Sequence, residues 1–94
     1  MLKVPVTWVR TPNTITCRIG DLLGGYVQKR ATKAGKWSSH PFVSCEYVEA
    51  HDSAEEAIMR IHEEIKVHFA KISSEIECVF PDPATVAKSA IQNG

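Results

Sequence analysis

The stretch from Asp52 to Ile72, DSAEEAIMRIHEEIKVHFAKI, decides how the rest of the chain is read. Ser53 is a favourable N-cap, and Glu56 three residues on completes a capping box. Ala54, Ala57, Ile58, Ile61, Ile65, Phe69 and Ile72 recur at the three-and-four spacing of one helical face. Glu55, Glu56, Arg60, Glu63, Glu64 and Lys66 fall mostly off it, and Glu56 precedes Arg60 by four, the favourable order. The spacing predicts an amphipathic helix over 52–72, about 28 Å long, which needs an apolar surface to lie on. Nearly everything before it has the period of strands.

Working back toward the N-terminus, Leu2, Val4, Val6 and Trp8 alternate with Lys3, Pro5, Thr7 and Val9, the pattern of a strand with one buried face. Pro5 cannot donate to a ladder. The strand is therefore expected at an edge, or with the missing N–H of Pro5 turned outward. Arg10 to Thr14 carries turn chemistry, and Ile15, Cys17 and Ile19 return as a second strand. Gly20 to Gly25 reads as a loop, with Leu22 and Leu23 tucked under the sheet edge. Without a following Lys-Ser/Thr, its glycines make no phosphate loop. Tyr26 to Thr32 is a third strand, Lys33 to Lys36 a turn with Gly35 at positive φ, and Trp37 the start of the return. His40-Pro41 marks a bend or bulge, and Val43, Cys45 and Tyr47 point inward from a fourth strand ending near Val48.

Beyond the helix, Ser73-Ser74 weakens the helical pattern. Residues 75–80 alternate as a strand, with a continued helix as the competing reading. Asp82 and Pro83 suit the N-cap and first position of a short helix over 83–91. The chain is thus expected to form one α+β domain over 1–94. Its architecture would be a two-layer sandwich, an antiparallel sheet of four to five strands in the order ββββαβ, with the long helix on one face and a short C-terminal helix.

Composition narrows the function. The chain has 94 residues with 44% apolar and 23% charged, ordinary values for a globular protein. No apolar run approaches a membrane span, the N-terminus lacks a secretory pattern, and Cys17, Cys45 and Cys78 are too few and too scattered for a disulfide framework. A cytoplasmic setting without membrane association is the expectation. Net charge is zero but uneven. Residues 1–40 hold seven basic side chains against Asp21 alone, a net of +6, whereas residues 41–94 hold four against ten carboxylates, a net of −6. Such a split hints at a charged partner.

Lys29, Arg30, Lys33 and Lys36 gather near the tip of the second hairpin, with Tyr26 and Trp37 at its base and Arg10 and Arg18 in support. Basic residues beside aromatics on a two-stranded ribbon suit nucleic acid or a ribonucleoprotein complex. A lysine-rich turn that guards a sheet edge explains the same residues without a partner. Neither a catalytic signature nor paired zinc spacing is present, and no cofactor is expected. His40, Cys45 and His51 lie close in sequence, but Cys45 reads as a strand interior rather than a reactive thiol. His62 and His68 read as unrelated solvated or half-buried residues. A second reading is a protein-binding adaptor that uses the acidic helix, through Glu56, Arg60 and Glu64, or an open sheet edge.

The run Gly24-Gly25-Tyr26-Val27, a later strand, and Asp52-Ser53-Ala54-Glu55-Glu56-Ala57 opening a helix resemble the βββα modules of the HicB antitoxin type over residues 24–70. The proline-glycine segment such modules carry before the helix is missing here. In size, mixed layout, split charge and lack of an active site the chain is similar to phage-encoded inhibitors of the anti-CRISPR kind. That likeness implies a protein that blocks a CRISPR-type surveillance complex by sitting on it.

Overall fold

The computed structural model describes residues 2–11, 14–30, 36–44 and 46–92, with backbone alone for residue 49 and residues 89–92. The elements in chain order are β1 (Leu2–Arg10), β2 (Thr14–Ile19), β3 (Leu22–Lys29), β4 (Trp37–Pro41), β5 (Val48–His51), α1 (Ala54–Ile72), β6 (Ile76–Val79) and α2 (Pro83–Gln92). The fold is α+β in two layers. A six-stranded sheet of order β5-β4-β3-β2-β1-β6 carries both helices on one face. The first five strands form an antiparallel meander, and β6 joins parallel to β1.

The α1 helix forms as its sequence dictates. The Ser53 hydroxyl accepts the N–H of Glu56 at 3.2 Å, and the Glu56 carboxylate takes the N–H of Asp52 at 2.9 Å, one residue before the position a standard capping box uses. Ile58, Ile61 and Ile65 are fully buried, each contributing about 1.5–3 kcal/mol of hydrophobic stabilisation. They meet Val6, Ile15, Cys17, Ile19 and Val27 from the sheet and Ala87 from α2. Phe69 is half-buried, and Ile72, expected on the same stripe, is exposed because the helix ends there. Ser73 leaves in an extended conformation, its N–H still bonded to the Phe69 carbonyl. Because α1 touches β5 and β6, the two edges, the sheet curls around it.

Several sequence expectations change. The sheet has six strands, not four to five, because the return from the second hairpin breaks in two. Pro41 closes β4, Phe42–Ser44 turn, and pairing resumes at Val48. Cys45, Gly35 and Lys33 lie outside the described residues. Tyr47 does not point inward; it is 54% exposed. Residues 76–79 are strand, laid along Leu2–Pro5. That makes β1 an interior strand, and Pro5 is tolerated where the β1–β2 ladder ends, its carbonyl accepting the Gly20 N–H at 2.9 Å.

The glycine segment is also different. The loop is only Gly20-Asp21, with Gly20 at φ +59°, and Leu22 is already strand. Leu22 and Leu23 are exposed at the hairpin tip rather than tucked away. Gly24 and Gly25 make a β-bulge opposite Cys17 and Arg18. Gly25 has φ +149°, and a Cβ there would lie 2.7 Å from the His40 carbonyl and 3.3 Å from Ile61 Cδ1. Only glycine lets β3 approach β4 and α1 this closely.

Candidate binding face

Strand period two assigns the side chains of β1–β4 to faces. Trp8, Cys17, Gly25 and Pro41 form one row across β1–β4 on the helix side, and Arg10, Ile15, Val27 and Ser39 form another. The residues between them point away from both helices. There, Val9, Thr16, Tyr26 and His40 make a continuous row across four strands, flanked by Thr14, Gln28 and Ser38 on one side and Thr7 and Arg18 on the other. No carboxylate occurs in these rows; Glu77, opposite Lys3 on β6, lies on this side.

The row ends in an aromatic column. The Tyr26 and His40 rings stack with centroids 4.3 Å apart and 9° between planes, and Tyr47 stacks on the other face of His40 at 4.9 Å and 17°. Phe42 meets Tyr26 edge-on at 5.9 Å. The Ser38 hydroxyl donates to the Gln28 carbonyl at 3.3 Å, so the His40 Nε2–H donates to Ser38 Oγ at 2.9 Å. Partial burial, then the nearby Arg30 charge, lower the His40 pKa, leaving a neutral ring at pH 7. Arg18 donates to the Asp21 carbonyl at 3.0 Å, and no carboxylate among the described residues pairs with it.

Of the residues singled out from sequence, Tyr26, Arg18 and Arg30 come together on this face. Lys29, Trp37, Lys36 and Arg10 do not join them, and Lys33 lies outside the described residues. Lys29 pairs with Trp37 in register on the helix side, where Trp37 packs on the core. Lys36 is held by Asp52, whose carboxylate pKa is lowered by that hydrogen bond and charge. Arg10 sits on the helix side opposite Ile15. The expected basic ribbon end is therefore not a single surface. His40, Tyr47, Thr16 and Gln28 were not anticipated as site residues; alternation with Val27 carried the signal for Gln28.

The acidic helix is largely occupied with the fold. Arg60 Nη2 bonds Glu64 at 2.9 Å and approaches Glu46 at 3.6 Å, while Glu56 caps the helix. His62, expected from sequence to be solvated or half-buried, is buried at 8% exposure. Its Nε2 accepts the Trp8 Nε1–H at 2.9 Å, and the ring lies 4.7 Å from Phe80. His51 Nε2 lies 2.8 Å from Ser39 Oγ, and burial lowers its pKa despite Glu56 and Asp52 nearby. Cys17 is fully buried, its thiol pushed up to about 12 by desolvation, unsuited to nucleophilic work. Among the described residues no three His, Cys, Asp or Glu side chains gather as metal ligands, and no helix is long and apolar enough to cross a membrane. No family model, curated protein or solved structure matches the chain.

Proposed function

We propose that this chain is a non-catalytic binding protein that engages a single nucleic-acid strand, bare or displayed by a ribonucleoprotein complex, on the sheet face opposite its helices. The observation that carries the reading is a four-strand surface without carboxylates that ends in the Tyr26–His40–Tyr47 column, beside Arg18 and Arg30. Tyr47, 54% exposed, offers the outer face of its ring to a base. Aromatic rings stack on any base, and threonine, glutamine and arginine beside them suit sugar and phosphate groups. Seated on the guide or target strand of a CRISPR-type complex, such a face would block it, which is the inhibitor reading its anti-CRISPR likeness implies.

Anisotropy titrations with labelled single-stranded RNA and DNA test the reading. Tyr47→Ala should weaken binding by about 1–3 kcal/mol. Arg18→Glu with Arg30→Glu should abolish it at moderate salt, with the circular dichroism unchanged. A folded double variant that binds like wild type refutes the reading. Loss of complex inhibition with retained binding to free strands would move the target to the protein part of the complex.

A further inference from the structure

On the other side of the sheet, α2 packs against α1 and leaves the far end of β1 and β2 only partly covered. The result is a groove of about 340 Å³ between Val6, Trp8, Arg10 and Ile15 on the sheet and Pro81 and Val86 at the start of α2. Its volume lies within the range of small-molecule sites. Arg10 is the one charged residue of the lining. It is half-buried and has no carboxylate or hydrogen-bond partner for its guanidinium among the described residues. In the same lining, the Thr85 hydroxyl is already donated to Asp82 Oδ2 at 3.0 Å. Trp8 has its Nε1–H committed to His62, so the part of its ring that reaches the groove contributes apolar surface.

We propose that this groove binds a small apolar monocarboxylate of the medium-chain fatty acid or arylalkanoic acid class. Its tail would lie on Trp8, Ile15 and Val86, and its carboxylate would meet the Arg10 guanidinium. The argument is charge complementarity. An arginine drawn partly out of water among apolar side chains loses hydration, and its planar fork matches a carboxylate in two parallel hydrogen bonds. A neutral apolar ligand would fill the space and leave that cation as it is. The groove lies on the opposite side of the sheet from the stacked rings and does not depend on the reading of that face.

The test is a titration of the full chain with octanoate, and with octanol as the neutral counterpart. It is followed by proton–nitrogen NMR of the two tryptophan indole signals, assigned with Trp37→Phe. Octanoate should shift the Trp8 signal saturably and leave that of Trp37 in place. Arg10→Met, which keeps the aliphatic bulk, should weaken octanoate about tenfold or more, Arg10→Lys should restore part of it, and octanol should not distinguish Arg10→Met from wild type. The proposal is overturned by a Trp8 signal that does not saturate with octanoate. It is equally overturned by unchanged octanoate affinity in an Arg10→Met protein whose circular dichroism is native.

Discussion

Lowering the pH from 7 should destabilise this protein well before its carboxylates titrate, and His62 should be the main cause. The ring is 8% exposed and burial pulls its pKa down from 6.5 to about 4. The unfolded chain therefore binds a proton at His62 below pH 6.5 that the folded chain refuses until about pH 4. Stability linked to this site is complete above pH 6.5 and falls as the pH drops through that window. At about 1.4 kcal/mol per unit, the loss approaches ~3 kcal/mol by pH 4, a large share of the ~5–15 kcal/mol that holds a domain together. His40 and His51, both shifted the same way, add to the slope. Asp52, shifted downward by Lys36, acts only near and below its ordinary value of 3.8. His62→Gln isolates the contribution, since its amide oxygen can still accept the Trp8 indole N–H but does not titrate. Urea unfolding of both proteins followed by circular dichroism at intervals from pH 7.5 to 4.5 gives two curves. Their difference should grow steadily below pH 6.5. Parallel curves would mean that His62 is hydrated or protonated in the folded state, and the buried Trp8–His62 contact would be refuted.

Gly25→Ala should destabilise by about 2–5 kcal/mol, from a positive φ and a Cβ 2.7 Å from the His40 carbonyl; a chemical-denaturation midpoint within error of wild type would contradict the bulge. Lys36→Ala removes an ion pair whose side chains are 41% and 77% exposed, so calorimetry should find the melting temperature almost unmoved. The same variant should leave strand binding in the anisotropy assay intact, because Lys36 lies apart from the stacked rings; a large loss would return the hairpin tip to the binding surface.

Local signals were readable in the sequence, and signals that depend on distant partners were not. The α1 helix could be bounded because its cap and its stripe are set by residues three and four apart. The parallel seat of β6 could not, since Ile76–Val79 is four residues long and its register depends on Leu2–Pro5, more than seventy positions away. Gly24-Gly25 looked like loop punctuation because its reasons, the His40 carbonyl and Ile61, are supplied from elsewhere. His62 is a different case. It falls four after Ile58 and three before Ile65, squarely on the apolar stripe, and its polarity kept the expectation at solvated or half-buried.

Charge composition misleads for a reason that strand geometry makes plain. Lys29 and Arg30 are neighbours in sequence, and neighbours at the end of a strand point to opposite faces. A cluster counted along the chain is therefore divided by the sheet: Lys29 goes with Trp37 to the helix side and Arg30 goes with His40 to the open side. Lys36, one residue before β4, is drawn to Asp52 at the start of α1 and spends its charge inside the molecule. What survives on the open face is a smaller positive charge than the +6 of the N-terminal half suggests. Its selectivity for a polyanion rests as much on the missing carboxylates as on the cations present. Four adjacent strands contribute none there, while the acids of the C-terminal half belong to α1, to the edge strands β5 and β6 and to the turns. Placing a single carboxylate at Thr16, in the middle of the row between Val9 and Tyr26, should thus cost more strand affinity than removing any one arginine, because it sets a fixed repulsion beside every phosphate that passes the column.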